Sequence, residues 1–204
     1  MRVLVVYNHP YQGSFCHAIL SSVTQGLTRG GHQVDLINLD KDGFDPVLRE
    51  KDLKAFITAS KDLNAAYSLL DEQVLDYKSR LEQAEHLVFI FPIWWELMPA
   101  LTKGFIDKVI FPGIAYDYIS SGNGMVSRLP GLKGVTMITT MNTPSIAYRL
   151  LFGNAIKKAL LMGTFWKIGI KNRHWMNLAM VKFSKESKRL KWLNNLEDKF
   201  KNLK

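Results

Sequence analysis

The sequence contains a single cysteine, Cys16, in 204 residues. That excludes an intrachain disulfide and any zinc or iron–sulfur centre built from several thiolates, and it accords with a reducing compartment. Seven prolines and 14 glycines are too few for a collagen-like or low-complexity chain, and 47% hydrophobic residues are too many for a disordered one. Long apolar runs are also missing: the longest, such as His86–Trp95 and Thr136–Thr140, fall well short of the roughly 20 residues that span a bilayer. The stretch Met1–Tyr7 goes straight into strand-like sequence, without the basic region, apolar segment and small-residue cleavage site of a signal peptide. A cytoplasmic protein folded as one domain over residues 1–204 is therefore expected. The five histidines show no H-E-x-x-H or other metal spacing, and no G-x-S-x-G is present, so neither metal nor hydrolytic chemistry is expected.

The net charge of +9 is unevenly spread. Residues 167–204 hold 11 Lys and Arg against three acidic residues, a net +8, whereas the remaining chain nets only +1. Within this tail, residues 184–204 read as a basic helix with Leu190, Leu193, Leu196 and Phe200 on one face. A terminal helix docked by that face, its lysines in solvent, accounts for the charge; nucleic acid is not expected as a partner.

Strand-like and helix-like segments alternate. Arg2–Tyr7, His32–Leu39, His86–Pro92 and Gly134–Thr140 read as strands, and Thr164–Ile170 (TFWKIGI) as a fifth. Ser14 stands where an N-cap would, ahead of apolar residues at helical spacing that end at Gly30-Gly31. Asp40–Asp52 suits a loop, Lys54–Ala84 holds two helical stretches broken near Ser60–Asn64, Pro99–Ile110 is a helix, and Asn154–Met162 a short one. Alternation of this kind implies a three-layer α/β fold with a parallel sheet, whose ligands bind at the carboxyl ends of the strands.

Three loops at those ends have unusual compositions. Asn8–Gly13 leads into a helix N-terminus, where free N–H groups attract an anion; His9 and Ser14 would add donors. A proline turn with a serine cap and nothing bound explains the same residues. Phe91–Pro99 places Trp94 and Trp95 where a surface loop would be polar, which suits a flat apolar ligand or a filled core. Thr139–Pro144 is rich in hydroxyls and suits either contacts to a ligand edge or an ordinary polar turn.

Taken in order, Asn8-His9-Pro10 through Gly13-Ser14-Phe15, Phe91-Pro92-Ile93-Trp94-Trp95, Pro99-Ala100-Leu101-Thr102-Lys103-Gly104, and Gly113-Ile114-Ala115-Tyr116 resemble the flavodoxin-like NAD(P)H:quinone oxidoreductase family. The resemblance spans residues 1 to about 170 and implies a five-stranded parallel sheet of order 2-1-3-4-5 with helices on both faces. It implies bound FAD, with FMN the alternative, NADH or NADPH as reductant, a quinone-type acceptor and a homodimer with shared sites. By resemblance His9, Ser14 and Phe15 fall on phosphate and ribityl contacts, and Cys16 stands at a cofactor-binding position near the pyrophosphate where some members have asparagine. Pro92, Ile93, Trp94 and Trp95 fall on the segment lining the isoalloxazine ring, while Thr139, Thr140 and Asn142 fall at the flavin edge. Tyr116 and Tyr118 match residues entering the partner's pocket. Tyr148 aligns with the family's active-site tyrosine, and Asn154 stands where its histidine partner would be. Glu96 replaces an aromatic residue, and Met141-Asn142 replaces paired glycines. An azo- or nitro-reductase, or a flavin-bearing regulatory subunit of a potassium efflux system, would present a similar sequence.

Overall fold

Three apolar runs are buried along nearly their whole length, as strands covered on both faces must be: β1 (Arg2–Tyr7), β3 (His86–Pro92) and β6 (Gly134–Thr140). The computed structural model describes residues 1–119 and 124–204. Between and after these strands lie α1 (Phe15–Arg29), β2 (Gln33–Asn38), α2 (Glu50–Thr58), α3 (Leu63–Tyr67), α4 (Glu72–Glu82), α5 (Ala100–Val109), the hairpin β4 (Tyr116–Tyr118) and β5 (Met125–Ser127), α6 (Ser145–Leu150), a π-helix (Lys157–Trp166), β7 (Asn172–Leu178) and α7 (Glu186–Lys201). The main sheet is parallel, in the order β2-β1-β3-β6-β7. Apart from the numbering, this is the expected 2-1-3-4-5 order.

Alternate residues of each strand supply the two layers. Leu4, Val6, Leu87, Phe89, Val135 and Met137 pack against the α2–α5 side and the π-helix, whereas Val3, Val5, Val88, Ile90 and Ile138 pack against α1 and α7. Helix α1 starts where its cap predicts: Ser14 is extended, and its Oγ accepts the His17 N–H. Against it lies α7, burying Leu196 and Phe200 but leaving Leu190 exposed. The two helices approach so closely that a Cβ on Gly26 would sit 2.3 Å from the Glu197 carbonyl oxygen, and Arg29 pairs with Glu197. Among the described residues, no helix is long and apolar enough to cross a membrane.

Several boundaries differ from the sequence reading: the region expected to hold two helical stretches holds three helices, with α3 overlapping the expected break, and the π-helix Lys157–Trp166 replaces the short helix expected over Asn154–Met162. Helix α2 begins at Glu50 rather than at Lys54 because Glu50 and Asp52 favour a first turn, and the Asp52 carboxylate accepts the Arg49 N–H. The fifth strand is not Thr164–Ile170. Phe165 belongs to the end of the π-helix and Ile168 to the turn after it, which closes on Gly169 at φ +91°. The Ile170 N–H donates to the Phe165 carbonyl and the Gly169 N–H to Trp166, the two bonds of a Schellman ending. The strand that completes the sheet is Asn172–Leu178, an edge strand whose polar start (Asn172, Arg173, His174) hides it in the sequence.

His86, buried at the start of β3, lies with its Nε2 2.9 Å from Thr136 Oγ1. Burial, with help from His174 and His32, lowers its pKa to about 4. The folded value lies below the roughly 6.5 of an unfolded chain, so the unfolded state takes up the proton first as pH falls. The associated stability is complete above about pH 6.5 and is lost on the way down to about 4, amounting to about 3 kcal/mol. In urea unfolding curves between pH 7.5 and 4.5, His86→Gln should remove this part of the slope; an unchanged slope would assign the loss to other groups.

Candidate functional site

The carboxyl ends of β1, β2 and β3 are drawn together by Asn8. Its backbone N–H donates to Ile90, its side-chain amide donates to Asp40 at 2.7 Å, and its carbonyl accepts the Thr102 hydroxyl at 2.8 Å. One buried side chain thereby ties the first loop to the end of β2 and to the start of α5. At this junction opens a cleft of about 270 Å³, lined by His9, Ser14, Phe15, Cys16, Pro92, Ile93, Trp94, Thr140, Met141, Asn142, Val181 and Lys182.

One end of the cleft suits an anion. The first N–H groups of α1, those of Phe15 and Cys16, have no intrahelical acceptor, and the helix dipole is positive there. His9 accepts the Tyr11 N–H at Nδ1, so in its neutral form Nε2 carries the proton and donates. Burial lowers the His9 pKa against the opposing charge of Asp40, which favours that neutral form. Beside Ser14 the Tyr7 hydroxyl is buried, and burial raises its pKa. Lys182 brings a cation to the rim, its backbone N–H held by Asn142 Oδ1 at 2.9 Å. The floor is uncharged: burial pushes the Cys16 thiol up to about 11, and its Sγ lies 3.2 Å from Thr140 Oγ1. The other end is apolar, walled by Pro92, Ile93 and Trp94, whose indole meets His9 edge-on at 5.8 Å.

A larger cleft of about 590 Å³ lies beside Lys108, Lys51 and Arg49. Its cations are already paired with Asp52, Asp71 and Asp45, so it offers a ligand no free charge.

Five expected site residues lie elsewhere. Trp95 is 97% exposed and lines no part of the cleft, because it occupies a two-residue hairpin turn with Glu96. Trp94 and Leu97 exchange both backbone hydrogen bonds across that turn, which places Trp95 and Glu96 at φ +48° and +62°. Thr139 faces the opposite layer, where its hydroxyl accepts the Trp175 indole N–H and donates to Asn177. Tyr148 is fully buried, its hydroxyl donating to the Glu96 carbonyl at 2.9 Å and accepting the Ile156 N–H at 3.0 Å. Asn154, at φ +54°, bonds through its backbone N–H to the Tyr148 carbonyl. Tyr116 is buried in its own chain's core; only Tyr118 of that pair is exposed. The residues missed by sequence reading are Met141, Val181 and Lys182. The last two follow β7, so the misplaced fifth strand concealed them.

The sequence profile of the flavodoxin-like fold family matches residues 1–199. The chain belongs to the flavodoxin-like fold family. Among solved structures, this flavodoxin-like chain is similar to the Smu.1420 protein of Streptococcus mutans UA159, with 32% identity, full coverage of both chains and a TM-score of 0.84. It shares its fold with an FMN-dependent NADH-azoreductase from Bacillus anthracis in complex with FMN, at 15% identity, 98% coverage of each chain and a TM-score of 0.78. Of the curated relatives, NAD(P)H dehydrogenase [quinone] 1 of Cavia porcellus is 28% identical over 155 residues, 71% of this chain and 55% of that protein. The flavodoxin-like chain thus spans about half the length of the first curated relatives it matches.

Proposed function

We propose that the protein is a flavin-dependent oxidoreductase that passes a hydride from NADH or NADPH to a quinone-type acceptor. The observation that carries this reading is the convergence on one cleft of an anion-ready helix start and an apolar wall, at the strand ends where this fold class binds ligands. The quinone dehydrogenase relatives favour the acceptor class.

Bound there, a flavin supplies the hydride chemistry itself. The Phe15 and Cys16 N–H groups, the Ser14 hydroxyl and His9 Nε2 would hold its phosphate. Pro92, Ile93 and Trp94 would exclude water from one side of the ring and fix its plane. Asn142 and Thr140 would line its edge. Tyr148, its hydroxyl committed on both sides, would serve as a positioning residue that holds the Trp95–Glu96 turn, rather than as the active-site tyrosine that the resemblance implies. A homodimer would bring Tyr118 of one chain to the other's acceptor site. FAD remains the proposed form, and the FMN of the azoreductase would use the same phosphate and ring contacts.

The protein purified without added cofactor should absorb in the visible with the two bands of an oxidised flavin, and heat should release a compound whose mass separates FAD from FMN. A colourless protein that takes up neither flavin would refute the reading.

A further inference from the structure

From Tyr118 to Lys185 the sequence contains no aspartate or glutamate, yet it contains ten lysines and arginines. Part of this stretch also leaves its large apolar side chains uncovered. On α6 and the turn after it, Ile146, Leu150, Leu151 and Phe152 are exposed, Leu150 and Leu151 to 73% and 78%. On the π-helix, Lys158, Met162 and Trp166 recur every fourth residue and are all exposed. The two segments adjoin: a Cβ on Gly153 would lie 3.1 Å from Lys158 Nζ. Arg149, Lys157, Lys158 and Lys167 punctuate this apolar surface, and the ion pairs among the described residues lie elsewhere in the chain. Of the carboxylates nearby, Glu96 is turned inward, with one oxygen accepting the Thr143 hydroxyl and the other buried, and Asp107, which lines a cleft with Gly163 and Thr164, is paired with Lys103.

Exposed aliphatic residues interleaved with unopposed cations match the surface of a bilayer carrying anionic headgroups. We propose that the face formed by Ile146–Phe152 and the π-helix docks on such a membrane surface, the apolar side chains entering the headgroup boundary and the cations meeting lipid phosphates. Charge decides against the other occupants. A second copy laid isologously on this face would bring Arg149, Lys157 and Lys158 of both chains together. A nucleic acid would satisfy the cations but leave Ile146, Leu150 and Leu151 against a polyanion. Docking would also set the cleft beside the lipid, because the Tyr148 hydroxyl joins α6 to the exposed Trp95–Glu96 turn at the cleft's edge.

The test needs no cofactor. Full-length protein should co-sediment with phosphatidylcholine vesicles containing phosphatidylglycerol, bind pure phosphatidylcholine far less, and be released by high salt. Lys157→Gln with Lys158→Gln should weaken binding about 25-fold, fivefold per cation. Leu150→Ser with Leu151→Ser should weaken it at least about tenfold, since both side chains leave water on docking. Both variants alter exposed positions, and circular dichroism verifies their fold. No binding by the wild type, or binding indifferent to either pair, would overturn the proposal. So would a dimer in sedimentation that the leucine variant dissociates, or an RNA oligonucleotide whose binding depends on the lysines and not on the leucines.

Discussion

Ser14→Asp should leave the fold intact and cost flavin binding about thirtyfold to a thousandfold. Aspartate caps a helix as well as serine does, so the His17 N–H keeps an acceptor and α1 keeps its start. Its charge, however, would stand where the Phe15 and Cys16 N–H groups are aimed. Two like charges about 4 Å apart at a partly solvated site repel by roughly 4 kcal/mol, and salt reduces this to about 2–4. Ser14→Ala separates the two effects: it should lower stability by about 1 kcal/mol through loss of the cap and weaken flavin binding only about tenfold, through loss of one phosphate donor. Equilibrium titration with FMN and FAD, beside thermal unfolding of each apoprotein, provides both readouts. An aspartate variant that binds flavin as the wild type does would place the phosphate elsewhere.

Lys108→Ala should be the most destabilising single change, by about 3–5 kcal/mol, or roughly 10 °C in melting temperature for a chain of this size. Lys108 is 2% exposed and Asp52 is 1% exposed. The ammonium lies 3.7 Å from Asp52, 3.3 Å from Asp71 and 3.3 Å from the Asp45 carbonyl. Removing it would strand the Asp52 carboxylate, one oxygen of which already lacks a hydrogen-bond partner. Lys108→Met with Asp52→Asn should recover most of the loss, because the asparagine carbonyl can still accept the Arg49 N–H and no charge remains to be desolvated. The same ammonium secures the loop around Asp45 and Pro46 to α5, where Gly104 lets the chain come so close that a Cβ would lie 2.3 Å from the Pro46 Cα. A loss below 1 kcal/mol would show that water reaches Asp52.

What the sequence made legible was governed by local rules. Strands buried on both faces announce themselves as continuous apolar runs, and Ser14 followed by helical spacing announces α1; these features alone place the cleft and most of its lining. What stayed hidden depended on contacts between distant residues. The polar start of β7 has no strand signature, and β7 is a strand only because β6 offers it an edge. Trp95 faces solvent because a turn with two positive φ angles, held by Tyr148 from 52 residues away, overrides what an indole would do alone. Thr139 and Thr140 differ by one residue and so face opposite layers. Hydroxyl content could not say which of the two meets the cleft.

The packing of α1 against α7 has a consequence for the chain while it is being made. Val23 and Leu27 of α1 emerge from the ribosome long before the residues that cover them, Leu196 and Phe200, which are translated 173 residues later. At ordinary elongation speeds the interval is roughly ten to thirty seconds. Throughout it the nascent chain presents an uncovered apolar helix face, so the layer on that side of the sheet can close only once α7 has emerged. A chain that stalls before α7 would lack the helix that covers α1 and would be a substrate for chaperones rather than a shorter working protein.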